Sequence, residues 1–389
     1  MREVAIIGAG STKFGELWGT SFRDLGIEAG AKALADAGLS GDEIDAVYVG
    51  NFASGSFIKQ QNLDALVADY TGMATRNVPA VRTEAGGASG GVAFRQGVMA
   101  VASGMADRVI VGGAEKMTDL DDDRVGQILN ACLDAEWEAG MGVTLTSIYA
   151  MIARRLMADG IATREEIASC AVNSHFHGAR NPEAEYRKEI KLDTVLRAGP
   201  TCDPLTMFDG APFSDGASAV ILCPLEEAKK ITDKYVKVSA VAQASDTLAF
   251  FQRDSFTSFA ATSAAAQEAY KLAHIEAKDI DVAEVHDVQT VGGVLALQDM
   301  GLYAKGEAGK AFLEGQTHFD AGKIAVNTSG GLKAKGNPIG ATGVSQIAEL
   351  YMQLTGTAGD RQVKDAKYGA AQSVGGTGSS VTVSILEAI

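Results

Sequence analysis

Apolar positions along this chain keep two rhythms that take turns. Short runs rich in valine and isoleucine, such as V-A-I-I-G-A (4–9), A-V-Y-V-G-N-F (46–52) and V-K-V-S-A-V-A-Q-A (236–244), predict buried strands. Between them lie stretches of helical period. Residues 29–45 read A-G-A-K-A-L-A-D-A-G-L-S-G-D-E-I-D, and residues 265–281 read A-A-Q-E-A-Y-K-L-A-H-I-E-A-K-D-I-D. Aligned without gaps, Ala29, Ala33 and Ala37 match Ala265, Ala269 and Ala273, and both copies close on Ile-Asp. Alanines four apart share one helix face, small enough to pack closely on a neighbour. Each Ile-Asp leads into a strand, the second being V-A-E-V-H-D-V (282–288).

The repetition continues. G-A-S-G-G (87–91) lines up with N-P-I-G-A (337–341), each ahead of a helical run. R-V-I-V-G-G-A (108–114) resembles Y-G-A-A-Q-S-V-G-G-T-G (368–378), and 236–244 opens the second copy as 4–9 opens the first. Strands alternating with helices in two similar halves predict two α/β domains related by a pseudo-twofold. Residues 119–212 break the pattern with the acidic D-L-D-D-D, two helical runs and a Pro/Gly/Asp-rich stretch. The expected division is a first half of 1–118 plus 213–235, an inserted loop domain at 119–212, and a second half at 236–389.

Composition narrows the function classes. With 389 residues and 46% hydrophobic content the chain can bury a large core, and its net charge of −15 provides no basic face for nucleic acid or an anionic membrane. No apolar run approaches the ~20 residues of a membrane span. Four scattered cysteines without a C-x-x-C pair predict neither a disulfide framework nor a zinc site, so a cytoplasmic location is expected.

Two glycine motifs invite chemical readings. I-I-G-A-G-S-T-K-F-G lacks the third glycine of a dinucleotide loop and reads as a plain strand-to-loop turn. G-A-S-G-G fits the nucleophile-elbow pattern around Ser89, with Asp287 and either His286 or His318 as triad partners. A serine in the first helical turn more often serves as a cap. Glycines at a helix start also let a ligand approach closely, where free N–H groups and the helix dipole favour negative charge.

E-A-G-G-A-S-G-G (84–91), M-F-D-G-A-P-F-S-D-G-A-S-A-V (207–220), E-V-H-D-V-Q-T (284–290), N-T-S-G-G-L-K-A-K-G-N-P-I-G-A-T-G (327–343) and V-G-G-T-G (374–378) together resemble the thiolase superfamily. The resemblance spans essentially the whole chain and is strongest to archaeal acetoacetyl-CoA thiolases and the sterol-carrier-protein type. It implies an α/β, thiolase-like αβαβα five-layered fold built from two duplicated halves with an inserted loop domain. It also implies coenzyme A as substrate or ligand with no tightly bound cofactor, and a homodimer or dimer of dimers. A synthase and a small acyl-CoA-binding protein with a zinc ribbon and an OB fold are the partners it suggests.

Site residues follow from the same resemblance, and so do the departures. The nucleophilic cysteine of relatives falls on Gly87, the histidine of their G-H-P on Asn337, and their H-D-C-F becomes H-D-V-Q. Gln372 and Ser373 stand where relatives have His-Asn or a catalytic Cys-x-Gly. His286 remains, beside the glycine turn at Gly376. Gly330, Gly331, Lys333 and Lys335 are expected to approach the CoA phosphates, the alternative being a solvated loop.

Glycine and asparagine supply neither thiolate nor base. Three readings stay open: an acetyl-CoA C-acetyltransferase with a displaced nucleophile (Cys132 or Cys202), a retro-aldolase on 3-hydroxyacyl-CoA, or a non-catalytic CoA-binding or assembly subunit. In the aldolase reading Asp287 or a tyrosine would be the base.

Overall fold

The computed structural model describes residues 1–320 and 323–389. Its first half runs β1 (Val4–Ser11), α1 (Phe22–Ala37), β2 (Ala46–Gly50), β3 (Ala80–Thr83), α2 (Ser89–Ser103) and β4 (Val109–Glu115). Three longer helices of the inserted region follow, α3 (Asp122–Leu129), α4 (Leu145–Ala158) and α5 (Arg164–Gly178), before β5 (Gly216–Pro224) rejoins the sheet. The second half runs β6 (Val236–Ser245), α6 (Ala260–Ala273), β7 (Val282–Glu284), α7 (Thr290–Asp299), β8 (Ala325–Val326), α8 (Thr342–Leu354), β9 (Tyr368–Gly375) and β10 (Ser380–Ala388).

The ten strands are ordered β8-β7-β9-β10-β6-β1-β5-β4-β2-β3, so corresponding strands of the halves sit at mirrored places. β1 and β6 meet antiparallel in the middle, with Val4 opposite Val238 and Ile6 opposite Val236. α2 and α8 pack on each other and touch strands of both halves, α1 covers β1, β5 and β4, and α6 covers β6 and β10. The layers are therefore α, β, α, β, α. Strand alternation feeds two of these interfaces: Ala5 and Ile7 join the alanine face of α1, while Val4 and Ile6 face the central helices.

The repeated Ile-Asp has a shared task. Asp45 Oδ2 accepts from Asp107 N at 3.1 Å and Arg108 N at 2.8 Å, pinning the start of β4. Asp281 Oδ2 accepts from Lys367 N at 2.7 Å and Tyr368 N at 2.9 Å, pinning the start of β9. The sequence reading of I-I-G-A-G as a turn needs correction. Gly8 and Gly10 lie inside β1, because a Cβ on Gly8 would stand 2.5 Å from Ala33 O and one on Gly10 2.6 Å from Ala29 O. Those glycines let the alanine face of α1 rest on the strand.

Candidate active site

Each half delivers a helix start to the same place. In the first half the chain turns through Gly86, in the left-handed region at φ 57°, and Gly87 before α2 begins at Ser89. Ser89 Oγ donates to Gly86 O at 2.6 Å and accepts from Ala85 N at 2.9 Å, so the side chain braces this turn. Its proposed triad partners are elsewhere employed. Asp287 accepts from Ser174 Oγ at 2.8 Å and Leu332 N at 2.7 Å, and His318 stacks on Phe176 with ring centroids 3.9 Å apart. Among the described residues no elbow triad is assembled. Ser89→Ala is expected to lower stability by about 1–2 kcal/mol, since Ala85 N loses its acceptor, without abolishing turnover. Urea denaturation alongside an activity assay checks it.

In the second half, Asn337 precedes α8. Its Oδ1 accepts from Thr342 Oγ1 at 2.9 Å and its backbone N donates to Ser214 Oγ at 3.0 Å. The carbonyl end of the amide is thus occupied, leaving the NH2 end as the free donor. Glu115, at the end of β4, accepts from Phe52 N at 2.8 Å and Gly340 N at 3.2 Å, which ties the chain after β2 to the turn before α8. Burial pushes this carboxyl up to about 7.

His286 follows β7, and its backbone N donates to Gln372 Oε1 at 3.1 Å. Gly87, His286, Asn337 and Gly376 line one cavity of ≈ 40 Å³, closed from the inserted region by Cys132, Leu145 and Tyr149. A wider recess of ≈ 440 Å³ shares Cys132 and Gly376 with it. His286 is buried, its Nδ1 has no hydrogen-bond partner, and burial pushes the imidazole down to about 3. It is a neutral ring that can accept and donate one proton. Because burial favours the uncharged form, the ring resonances of His286 should stay those of neutral imidazole from pH 7 to about pH 5, where an ordinary histidine is charged. Histidine NMR over that range is the check.

Cys132 also faces the cavity. Burial, with the nearby Glu84 charge adding to it, pushes its thiol up to about 12, while the Gly376 N–H acts the other way. Tyr149 directs its hydroxyl to Gly376 O at 3.4 Å, and burial holds its phenol well above the usual range. Gln289 completes the polar lining, with an Oε1 that is buried and unpartnered.

Gly87 is enclosed. A Cβ added there would press into the Val374 carbonyl oxygen and lie 2.7 Å from His286 Cε1. The space a side chain would need is filled by the imidazole and the β9 backbone.

Several sequence expectations are corrected here. Lys333 and Lys335 are 3% and 2% exposed, so they form neither a phosphate-facing loop nor a solvated one. Lys335 Nζ donates to Ser345 Oγ at 2.6 Å, and Lys333 lies between the Tyr186 and Phe208 rings at 5.3 and 5.5 Å. Gly330 packs against Gly178 of α5, and Gly331 against Asp287 and Asn327; none of these four residues borders the cavity. Asp287, held by Ser174 and Leu332, is a structural acceptor rather than a base. Cys202 lies in a short hairpin outside the cavity. Tyr149, Leu145 and Gln289 were missed. Tyr149 sits in the apolar run S-I-Y-A-M-I-A, where nothing local separates it from a core residue.

A duplicated five-layer α/β protein whose two halves converge on one buried, histidine-bearing cavity is the class defined by these features. The chain belongs to the thiolase family: residues 4–226 match the thiolase N-terminal domain and residues 242–388 the thiolase C-terminal domain-like model. It is 48% identical to the acetyl-CoA acetyltransferase of Methanothermobacter thermautotrophicus over 385 residues, 99% of each chain. It is 31% identical to sterol carrier protein 2 of Gallus gallus, covering 99% of this chain and 71% of that protein. A solved structure described as the Ltp2-ChsH2(DUF35) aldolase superposes with a TM-score of 0.83 at 26% identity, covering 99% of this chain and 98% of that one. Among the described residues no helix is long and apolar enough to cross a membrane.

Proposed function

We propose that this protein makes or breaks carbon–carbon bonds on CoA thioesters without acylating position 87, and that its reaction is aldol-type cleavage of a 3-hydroxyacyl-CoA. The observation that carries this reading is the enclosure of Gly87: neither a thiol nor room for one is present, while neutral His286 and the Asn337 amide still face the cavity. In the reaction His286 takes the proton of the 3-hydroxyl. The bond between C2 and C3 breaks, its electron pair forming the thioester enolate, and C3 leaves as an aldehyde or ketone. The Asn337 NH2 and the turn N–H groups around Gly87 stabilise the enolate oxygen. The imidazolium then returns its proton to C2, releasing a shortened acyl-CoA. No covalent intermediate is needed. The names of relatives support CoA as the ligand, and one structural relative is itself called an aldolase.

A second reading rests on Cys132. Its thiol borders both chambers, and acetyl transfer through it would make the protein an acetyl-CoA C-acetyltransferase with a displaced nucleophile. A thiol held near 12 needs a base to act, which weighs against it. The assay that separates the readings is a panel of 3-hydroxyacyl-CoA and 3-ketoacyl-CoA substrates. Release of a free carbonyl compound without added CoA supports cleavage by the aldol route. Activity only on 3-ketoacyl-CoA plus free CoA would sink it.

Assembly belongs to the same proposal. β3 is an edge strand, so a homodimer or dimer of dimers would extend the sheet through Ala80–Thr83. A small zinc-ribbon/OB-fold acyl-CoA-binding partner is supported by the aldolase relative whose name includes a DUF35 protein. Exposed Trp137, Met151 and Phe251 line one apolar groove and are candidates for its footprint.

A further inference from the structure

An acid–base imidazole is commonly oriented by a hydrogen bond at the ring nitrogen away from the substrate. Among the described residues, Nδ1 of His286 has no such partner. The ring atoms nearest position 87 are Cε1 and Nε2, which would lie 2.7 and 3.0 Å from a Cβ there. Their placement is therefore inherited from packing and from the backbone that carries the ring.

That backbone is held by side chains where the sheet ends. β7 lies between β8 and β9, and its ladder with β9 stops at Glu284 opposite Ala371, although β9 runs on beside β10 to Gly375. The ladder with β8 stops one residue earlier, at Ala283 opposite Val326. The next two N–H groups of the departing chain need other acceptors. Each finds a side-chain amide from one flanking strand. Val285 N donates to Oδ1 of Asn327, the residue after β8, at 2.7 Å, and His286 N donates to Oε1 of Gln372, in β9, at 3.1 Å. A backbone N–H only donates, so each amide turns its oxygen to it.

The Gln372 amide is braced at its far end, where Nε2 donates to Thr262 Oγ1 of α6 at 3.0 Å. Gln346 of α8 fixes the same stretch of β9. Its Nε2 donates to Gln372 O at 2.9 Å, and its Oε1 accepts from Ser373 Oγ at 2.7 Å. Asn327, Gln346 and Gln372 are all buried. Gln372 borders neither chamber of the site, so any effect it has on the reaction passes through His286.

We propose that Gln372 is a positioning residue: its amide, braced by Thr262, holds the His286 backbone where β7 leaves the sheet and so keeps the ring against Gly87. The catalytic part of this inference rests on the aldol reading of the cavity. Asn327 supplies the matching hold one residue earlier, on the opposite edge of the strand.

Kinetics on a 3-hydroxyacyl-CoA and NMR of ring-labelled histidine, both on the full chain, test it. The His286 signal is assigned by its absence in His286→Gln. Gln372→Met keeps the length of the side chain and removes the acceptor. Its kcat should fall by about 10–10²-fold, the scale of a small misplacement of a reacting group, with KM nearly unchanged. The His286 ring resonance should shift, while those of His175 and His177, carried on α5, should not. Gln372→Glu, which keeps an oxygen at the same reach, should restore most of the lost kcat. Thr262→Val is isosteric and removes only the brace, so it should move kcat and the His286 resonance in the same direction by less. An unmoved His286 resonance in both Gln372→Met and Thr262→Val would overturn the proposal. A shift of all three histidines together would overturn it as well, because it marks general loosening. If the parent cleaves no 3-hydroxyacyl-CoA, the aldol reading fails and the resonances decide the clamp alone: a shift confined to His286 supports it, and no shift overturns it.

Discussion

Replacing His286 by alanine is expected to slow cleavage of a 3-hydroxyacyl-CoA by about 10²–10⁴-fold, the usual contribution of a positioned acid–base group. The loss should fall on kcat, because the imidazole acts on the proton that moves rather than on the bulk of the CoA. Among the described residues that line the cavity, His286 is the ionisable side chain held in a proton-accepting form at physiological pH, burial having pushed it down to about 3. Tyr149 and Cys132 share the cavity, but burial holds both in their protonated forms, so neither takes over as base. His286→Gln fills most of the volume and serves as the control for collapse of the cavity. Steady-state kinetics with the two variants decides it: activity within a few-fold of the parent, in proteins that melt normally, would remove His286 from the mechanism.

Introducing the family's nucleophile at Gly87 is expected to fail. Gly87→Cys should lower stability by about 1–3 kcal/mol, the cost of overpacking a filled site, and should form no acetyl-enzyme with acetyl-CoA. The added Cβ meets the Val374 carbonyl, which belongs to β9 and cannot rotate away, and the His286 ring. Moving that ring removes the base the reaction needs. Asn337→His does not repair the fault, because the obstruction is steric and comes from Val374 and His286 rather than from residue 337. Chemical denaturation and mass spectrometry of the single and double variants test this. A stable Gly87→Cys protein that acylates readily would show that the enclosure opens in solution.

Much of this architecture was legible in the chain, for identifiable reasons. The duplicated alanine faces and Ile-Asp pairs survive because each repeat has the same packing task and the same carboxylate–backbone lock, Asp45 onto β4 and Asp281 onto β9. Gly87, His286, Asn337 and Gly376 were named through the family resemblance, whose motifs lie at strand ends and helix starts, and the four border one cavity. The remainder of the site was not legible. Tyr149 and Cys132 reach the cavity only through the way residues 119–212 fold over it, which no local pattern encodes. Lys333 and Lys335 look like loop cations because glycines surround them, yet the close seat of Gly330 on Gly178 draws that loop beneath α5. Whether an added side chain has room at Gly87 depends on a carbonyl and a ring from two other strands. That is a tertiary fact.

Intact-protein mass spectrometry during turnover of a 3-hydroxyacyl-CoA, with the released carbonyl compound followed in the same sample, tests the central claim most directly. The account expects the carbonyl product to accumulate while the protein keeps its unmodified mass at every time point. An acyl adduct that forms and decays at the turnover rate, mapped to Cys132 or any other side chain, would contradict it.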